Sequence, residues 1–418
     1  MGDQKALVPR LRFPEFWDAG DWDFRELEDA CEVNPSNSTL PELFVYIDLE
    51  AVEAGQLIKK KKISREGAPS RAQRVLRSGD VIFQIVRPYQ QNNFFCDFVD
   101  GEKYVASTGY AQLRAFESKE FLYQVVHAQN FVARVLSKCT GSNYPAIKSS
   151  DLAKIQVAVP VQEEQQKIAD CLSSLDALIA AQGEKIDALK THKKGLMQQL
   201  FPREGETVPR PRFPEFREAG EWKQLPLGGI VGFMSGGTPS KDRIDYWGGD
   251  IPWVSAASMH EISIDRSDRS ITQRAVDDGA RTIPKGTLLI LVRGSMLHKR
   301  IPIGITACRV AFNQDVKALR MKSEISEEFL LHLLISNEGR LLCAVSGTGI
   351  GAGKLDTSEL EAFFICIPEM KEEQQRIAIC LSSLDNLIAT HTAKLDVLKS
   401  HKNGLMQQLF PSLEKAAP

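Results

Sequence analysis

Two stretches of the chain carry apolar residues at an alternating spacing of four and three, with polar residues between them. This spacing predicts a long helix with one narrow apolar stripe, the heptad seam of a coiled coil. Pro202 and Pro411 follow the two stripes and predict where the helices end, since a helix rarely continues into a proline. The stripes consist of Ile168, Leu172, Leu175, Ile179, Ile186, Leu189, Leu196 and Leu200, and of Ile377, Leu381, Leu384, Ile388, Leu395, Leu398, Leu405 and Leu409.

Polar residues occupy two positions of each seam: Gln182 and Lys193 in the first, His391 and Lys402 in the second. Each helix of about forty residues would span about 60 Å. A narrow stripe needs an apolar partner, and the nearest partner is the other stripe. We expect an antiparallel pair with a globular part at each end. The alternative is two amphipathic helices, each packed on its own domain.

The two helices belong to an internal repeat. Residues 8–22 (VPRLRFPEFWDAGDW) and 208–222 (VPRPRFPEFREAGEW) are identical at eleven of fifteen positions, and residues 163–202 and 372–411 at 29 of forty. The segments between these repeated ends, the middles of the two repeats, have little sequence in common. We infer that the repeated ends have the same role and that the middles have different roles.

Each middle predicts a mixed α/β domain. Short apolar runs predict strands, and Ser118 and Ser326 are predicted N-caps. The helix from Ser118 would place Phe121, Leu122, Val125, Val132 and Val135 on one face. The predicted fold is therefore α+β, with two such domains separated by two long antiparallel coiled-coil helices and related by a pseudo-two-fold repeat. The predicted strands are Phe44–Leu49, Asp80–Val86, Ile155–Val159, Thr287–Val292 and Phe363–Ile367.

Positive charge is local. The net charge is −2, yet residues 59–79 hold eight Lys or Arg and one acid, and residues 279–314 hold six Lys or Arg and no acid. Cations on loops suit phosphate oxygens, and Arg or Gln side chains can reach base edges. The amides of Gln90 to Asn93 can pair bidentately with adenine. The alternative is a solvated charged surface.

Other classes of function lack support. The eight cysteines form no C-x-x-C pair and the seven histidines do not cluster, so neither disulfides nor a zinc site is expected. The N-terminus has no secretory signal, and the apolar runs are too short to span a bilayer. No nucleophile–base pattern is evident, so we expect no catalysis by this chain.

Several sequence motifs, taken together, resemble those of a known protein family. They are SGGTPSKDRIDYWGGDIPWVS (235–255), YIDLEAVEAGQL (46–57), SRAQRVLRSGDVIFQIVRP (70–88) and FNQDVKAL (312–319). Two further motifs are each present twice at the helix ends: EQQ-x-IA, which begins four or five positions after a proline, and QQLFP. With these, the chain resembles the specificity (S) subunit of type I restriction–modification enzymes over essentially its whole length.

The resemblance implies an organisation. Target recognition domains would occupy residues 1–159 and 203–367, spacer helices 160–202 and 368–411, and a tail 412–418. Each recognition domain would read one half of a bipartite, asymmetric site in double-stranded DNA. The helices would set the unread gap and dock two modification (methyltransferase) subunits, and restriction subunits would complete a cytoplasmic, non-membrane complex. This chain would hold no cofactor or metal, because S-adenosylmethionine, ATP and Mg²⁺ would belong to the partners.

The candidate residues divide into two sets. The DNA-binding candidates are Lys59, Lys60, Lys61, Lys62, Arg65, Arg71, Arg74, Arg87, Gln90, Gln91, Asn92, Thr238, Ser240, Lys241, Arg243, Arg293, His298, Lys299 and Arg300. The partner-binding candidates are Gln165, Gln166, Gln198, Gln199, Gln374, Gln375, Gln407 and Gln408. Two alternatives stay open: a related system whose partner is a fused nuclease–methyltransferase, and a coiled-coil scaffold without a DNA role.

Overall fold

The computed structural model describes residues 8–36, 39–141, 143–347 and 351–411, so the predicted tail at 412–418 lies outside the described residues. The chain divides into two compact units. Unit 1 contains the residues up to Glu184 and those from Ala393 onward, and unit 2 contains Lys185–Thr392. Each unit therefore takes one half of each long helix.

Unit 1 is a mixed α/β domain. Its strands are β1 (Asp23–Glu26), β2 (Cys31–Val33), β3 (Leu43–Ile47), β4 (Val52–Glu53), β5 (Gln56–Leu57), β6 (Lys61–Ser64), β7 (Ala72–Val75), β8 (Val81–Gln84), β9 (Phe94–Phe95), β10 (Tyr104–Ser107), β11 (Tyr110–Ala115) and β12 (Gln156–Val159). Its short helices are α1 (Leu27–Ala30), α2 (Lys119–Val125), α3 (Gln129–Lys138) and α4 (Ser149–Ala153). The first long helix, α5 (Gln162–Leu200), follows β12.

Unit 2 has the same kinds of element. Its strands are β13 (Lys223–Pro226), β14 (Val231–Ser235), β15 (Trp247–Val254), β16 (Ser263–Ile264), β17 (Ser270–Ile271), β18 (Thr282–Ile283), β19 (Leu288–Leu291), β20 (Arg293–Gly294), β21 (Ile303–Thr306), β22 (Val310–Phe312), β23 (Val316–Met321), β24 (Ser346–Gly347), β25 (Gly353–Lys354) and β26 (Phe364–Ile367). Its helices are α6 (Leu227–Ile230), α7 (Gln273–Asp277), α8 (Glu327–Ser336), α9 (Glu338–Cys343) and α10 (Thr357–Ala362), followed by the long α11 (Lys371–Leu409).

The two units share a strand order. In unit 1 the sheets are β2-β11-β8-β9 and β6-β3-β10-β7, and in unit 2 they are β14-β23-β19-β21-β16 and β17-β15-β22-β18. Both second sheets contain one parallel pair, β3 with β10 and β15 with β22, and both units pair their first and last strands, β1 with β12 and β13 with β26. The middles that differ in sequence are thus alike in topology.

The predicted strands are confirmed with ends shifted by at most two residues, as β3, β8, β12, β19 and β26. The single helix predicted from Ser118 is wrong, because the chain leaves the helical region at Ala128 (ψ 133°) and starts a second helix. Ser118 does cap α2, where its hydroxyl accepts a bond from the Phe121 N–H at 3.1 Å, and Ser326 caps α8 in the same way. No helix among the described residues is long and apolar enough to cross a membrane.

Within each unit the long helices run antiparallel. In unit 1, Lys402 of α11 contacts Asp176 of α5 at 2.6 Å, while the last turn of α11 lies beside the start of α5, in one apolar core. In unit 2, Lys193 of α5 contacts Asp385 of α11 at 2.5 Å. Gln182 and Lys193 are buried, so the polar positions predicted for the first seam are confirmed.

Aromatic clusters fix the helix ends in both units. Phe410, after α11, packs against Trp22 and Phe121 of unit 1. Phe201, after α5, packs in the same way against Trp222 and Phe329 of unit 2. The repeated QQLFP sequence therefore supplies a phenylalanine that completes the core of a domain.

Candidate nucleic-acid interface

The basic run of unit 1 lies along the edges of one sheet, with Lys61 and Lys62 on edge strand β6 and Arg74 on the opposite edge, β7. Lys59, Lys60 and Lys62 each contact an acid at 2.6–3.0 Å, from Glu50, Asp100 and Glu102 in that order. These pairs are largely exposed, so they add little to stability, but they reduce the positive potential of the run.

The remaining cations of this run divide by exposure. Lys61, Arg65 and Arg71 are exposed and belong to no ion pair of the described residues. Arg74 is half-buried: burial lowers the pKa of its guanidinium, and its buried Nε has no hydrogen-bond partner among the described residues. The exposed three are free to meet phosphate oxygens, whereas Arg74 is held inside the edge of the domain.

The β8 loop, residues 87–92, contains most of the other candidates of unit 1. Pro88–Gln90 form a single 3₁₀ turn, and Arg87 and Gln91 on either side have positive φ angles of 56° and 52°. A residue with a Cβ atom adopts such an angle at a cost of about 1–3 kcal/mol, and such residues cluster at functional sites. The guanidinium of Arg87 lies over the Tyr144 ring, 4.4 Å from its centroid.

Two buried amides hold this loop. The Nε2 of Gln84 donates to the carbonyl of Val86 at 2.8 Å and to Oε1 of Gln90 at 2.9 Å, and its Oε1 accepts from the N–H of Asn92 at 3.1 Å. The Oδ1 of Asn93 accepts from the N–H of Gln84 at 2.8 Å. Gln84 and Asn93 are almost wholly buried, so the loop is anchored from within.

His127 contacts Asn93, one of the two amides that hold the loop. Burial lowers its pKa to about 4, so the ring is neutral at physiological pH. Nδ1 lies 2.7 Å from the carbonyl of Tyr123 and therefore carries the proton. Nε2 then accepts from the amide of Asn93 at 3.3 Å. The anchor depends on a neutral histidine.

In unit 2 a first group of candidates follows β14. The indole of Trp253 donates to the carbonyl of Gly237 at 3.0 Å, and that of Trp247 donates to the carbonyl of Ser240 at 3.1 Å. Thr238 donates to Oε1 of Gln314 at 2.9 Å. A Cβ atom on Gly236 would lie 2.0 Å from the Phe312 carbonyl oxygen, so only glycine fits the start of this loop.

The cations of this loop differ in their surroundings. Arg243 makes two 2.9 Å bonds to Asp245 and lies over the Tyr246 ring. The hydrogen bonds from Arg243 lower the pKa of Asp245 to about 2. Lys241 is exposed beside a hollow that Trp247 and Arg269 also line. Lys241 is thus available to a ligand, whereas Arg243 is already paired.

A second group of unit 2 candidates lies around β20. Arg293 is exposed on β20, which pairs with β25, and Lys299 is exposed after the following turn. The Nε2 of His298 lies 3.3 Å from the carbonyl of Gly351, and Arg300 donates to the carbonyl of Met259 at 3.1 Å. Among the described residues, no ion pair involves Arg293 or Lys299, so these two cations are available to a ligand.

The glutamine candidates separate into buried and exposed sets. Gln165 and Gln374 are 2% and 4% exposed, and their amides donate to the carbonyls of Pro160 and Pro368 at 2.9 and 3.1 Å. These two residues fix the starts of the long helices and offer no surface to a partner. The other six are exposed: Gln166, Gln198, Gln199, Gln375, Gln407 and Gln408.

The sequence interpretation missed the residues that hold the loops in place. Gln84 has a usable signal, because it is one polar residue inside the apolar run Val81–Val86. Trp247 and Trp253 lie inside a motif that was recognised, but their bonds to backbone carbonyls have no sequence signature. Tyr144 and Gln314 are distant in sequence from the candidates that they contact, Arg87 and Thr238.

The family model of the type I restriction modification DNA specificity domain matches residues 19–191 and 219–400, one match in each repeat. The chain belongs to this family. This assignment agrees with the resemblance that the motifs carry.

Curated relatives share the name of specificity subunit. The type I restriction enzyme EcoR124I/EcoR124II specificity subunit of Escherichia coli is 31% identical over 241 residues, 57% of this chain and 55% of that protein. The MjaIX specificity subunit of Methanocaldococcus jannaschii is 32% identical over 220 residues, 48% of this chain and 49% of that protein. The chain thus matches about half the length of each of these relatives.

Solved structures show the same fold at low identity. The S subunit of a type I restriction–modification system from M. genitalium has a TM-score of 0.63 and 14% identity, with 97% of this chain and 99% of that chain covered. A chain solved in a study of complex assembly and conformational transition of the type I R-M system has a TM-score of 0.54 and 22% identity, with 94% and 98% covered.

Proposed function

We propose that this chain is the DNA-specificity subunit of a type I restriction–modification complex, and that the domains at 1–159 and 203–367 each read one half of a bipartite site. The observation that carries the proposal is the contrast inside the repeat: one topology and one set of helix ends, but two unlike loop surfaces. Two readers with different surfaces suit an asymmetric site, because side chains at base edges supply sequence information.

The proposal gives the chemistry to partners. The exposed glutamines Gln198 and Gln199 recur as Gln407 and Gln408 at equivalent helix ends, which supports docking of two copies of one modification subunit. S-adenosylmethionine would bind to that subunit, and restriction subunits would add the ATP-dependent nuclease. The chain itself would be non-catalytic, and the complex would act in the cytoplasm.

Joining two readers improves discrimination. Each wrong base pair costs about 1–3 kcal/mol, so one domain that reads a few bases cannot single out rare sites. Two joined domains multiply their discrimination, because the second binds at a high effective concentration.

A domain exchange tests the proposal. Residues 23–158 are replaced by those of a relative, and the methylated adenines of the host genome are mapped with the parent and with the exchanged chain. We expect one half of the methylated sequence to change and the other half to stay. A change in both halves, or in neither, would contradict the two-reader assignment.

A binding experiment separates this function from a scaffold without a DNA role. The full chain with its methyltransferase partner is titrated against labelled duplex by fluorescence anisotropy at several salt concentrations. We expect affinity to fall as salt rises, because bound cations release counterions from the phosphates. Binding that is absent, or insensitive to salt and sequence, would favour the scaffold.

A further inference from the structure

We infer that the domain of unit 1 reads a guanine in the major groove, and that the β8 loop contacts it through hydrogen-bond donors alone. The inference rests on the proposed function and names the base that one of its two readers takes. It follows from the orientation of the amides that hold the loop.

The orientation of Gln84 is set by backbone groups. Its Nε2 must be the donor to the Val86 carbonyl, and its Oε1 must be the acceptor from the Asn92 N–H. The second proton of Nε2 then points to Gln90, whose Oε1 accepts it at 2.9 Å. Gln90 is exposed, and its NH₂ group keeps both protons for a ligand, whereas Gln84 occupies one of the two acceptor sites of its Oε1.

The two other ordered polar side chains also present donors. The Oδ1 of Asn92 accepts from the N–H of Ala54 at 3.3 Å, which leaves its NH₂ group. Arg87 carries donors only and is steadied against Tyr144. No ion pair of the described residues involves Arg87, in contrast to Lys59, Lys60 and Lys62. The loop therefore offers a row of fixed donors.

Only one base presents two adjacent acceptors in the major groove. Guanine shows N7 and O6, whereas adenine shows N7 beside an NH₂ donor, cytosine shows an NH₂ donor, and thymine shows O4 beside a methyl group. In the minor groove every base pair carries acceptors, so donors there would discriminate poorly. A row of donors that reads sequence thus fits guanine.

The bidentate pairing with adenine predicted from this polar run needs the carbonyl oxygen and the NH₂ group of one amide. In Gln90 and Asn92 the carbonyl oxygen already accepts a bond from Gln84 or from Ala54, which occupies one of its two acceptor sites and directs it toward the protein. No described residue bonds to the side-chain amide of Gln91, which is exposed and would lose rotamer freedom on binding. The fixed part of the surface therefore favours guanine over adenine.

The test uses the full chain with its methyltransferase partner and a duplex carrying the mapped site. Each guanine of the half-site that changes on exchange of residues 23–158 is replaced in turn by 7-deazaguanine, which removes the N7 acceptor and keeps base pairing. We expect one replacement to weaken binding by the parent about 2- to 12-fold, because it removes one acceptor of the pair and leaves O6.

The matched variant is Arg87→Gly. Glycine adopts a φ of 56° without strain, so this change removes the side chain and keeps the backbone. We expect the variant to bind the unmodified site more weakly and to lose the sensitivity to 7-deazaguanine at that position. Guanines of the other half-site serve as the control and should respond equally in both proteins.

A second variant tests the anchor. Gln84→Met keeps the approximate side-chain volume but removes the bonds to Gln90 and Asn92. We expect the preference for guanine at that position to weaken several-fold, with binding to unrelated duplex unchanged.

The inference is overturned if that half-site contains no guanine, or if Arg87→Gly keeps the full sensitivity to 7-deazaguanine. If the complex binds all duplexes alike, the proposed function itself fails, and the two failures are thereby distinguished.

Discussion

Gln124 in unit 1 and His332 in unit 2 occupy the same buried position of the repeat, each facing the seam of the long helices. Gln124 donates to Asp176 at 3.0 Å, and Lys402 contacts the same carboxylate. His332 lies 3.2 Å from the Ser382 hydroxyl and 3.8 Å from Asp385, which Lys193 contacts. The helix residues, an aspartate and a lysine, are the same in both units, and the domain residue differs.

The same aspartate–lysine pair of the helices is therefore compatible with either a glutamine or a neutral histidine from the domain. An amide donates to the aspartate at any pH. Burial lowers the pKa of His332 to about 3 and raises the pKa of Asp385, so the histidine is neutral and its contact with Asp385 is not an ion pair. The aspartate of unit 2 therefore relies on Lys193 more than the aspartate of unit 1 relies on Lys402.

The largest expected effect lies where the units are most alike. Arg12 makes two bonds of 2.7–2.9 Å to Glu164, and Arg212 makes two bonds of 2.7 Å to Glu373; both glutamates are 1% exposed. Arg12→Met or Arg212→Met leaves a buried carboxylate without its cation, and we expect each to lower the free energy of unfolding by about 3–5 kcal/mol. Urea denaturation measures this loss, and clearly unequal losses would show that the two buried ion pairs are not equivalent.

The two lysines at the helix seam, Lys193 and Lys402, should contribute unequally to stability. Lys193→Met deprives Asp385 of its close cationic partner, so we expect a loss of about 1–3 kcal/mol in the free energy of unfolding. Lys402→Met leaves Asp176 bonded to Gln124 and more exposed to water, so we expect a loss below about 1 kcal/mol. Equal losses in urea denaturation would show that the domain residue does not affect the seam.

The third prediction concerns pH. The pKa of His332 is about 3 in the folded chain, below its ordinary value of 6.5, so the unfolded state binds more protons between these values. Stability is then complete above pH 6.5 and falls as pH decreases, by at most about 1.4 kcal/mol per pH unit from this group. His127, with a pKa of about 4, acts in the same direction.

The matched variant for this prediction is His332→Gln, which gives unit 2 the residue of unit 1. We expect it to remove the contribution of His332 to acid destabilisation between pH 6.5 and 4.5 and to leave that of His127. Thermal melting across this pH range measures the slope, and an unchanged slope would contradict the assignment.

The smallest effects on stability are expected at the surface lysines. Lys60 is paired with Asp100, whereas Lys299 is exposed without an ion pair among the described residues. We expect Lys60→Gln and Lys299→Gln to change the free energy of unfolding by less than about 1 kcal/mol. For DNA binding, Lys299→Gln should reduce the salt slope by about one and Lys60→Gln by less, as anisotropy titrations would show. The reverse order would indicate that the acidic pairs open on binding.

The sequence was most informative where the physics is local and periodic. The heptad positions, the serine caps and the helix-ending prolines led to the correct elements, and the repeat led to the correct architecture. The pairing order of the strands was not visible in the sequence, because strands such as β8 and β19 need only apolar residues and share almost no letters. The break between α2 and α3 was missed because apolar residues of both helices fit one face of a single continuous helix.

The candidate surface was predicted less completely. Charge runs indicated the segments around β6, β7 and β20, the polar run indicated the β8 loop, and a recognised motif indicated the loop after β14. None of these signals showed which cations are already paired. Gln165 and Gln374 are repeated because each fixes the start of a long helix. A sequence repeat alone does not distinguish this structural role from contact with a partner. Side-chain orientation, as in Gln84 and Gln90, is set by tertiary neighbours and has no sequence signature.

The aromatic clusters at the helix ends also bear on the order in which the domains are completed during synthesis. Phe201 and Trp222 are 21 positions apart, whereas Phe410 and Trp22 are 388 apart. Closing the longer loop costs roughly 2–3 kcal/mol more in chain entropy. Unit 2 is a continuous segment and has all its residues once Thr392 has left the ribosome. The N-terminal domain, although it is translated first, keeps one side of its core uncovered until the last helix arrives, so the oldest part of the nascent chain is the last to finish folding.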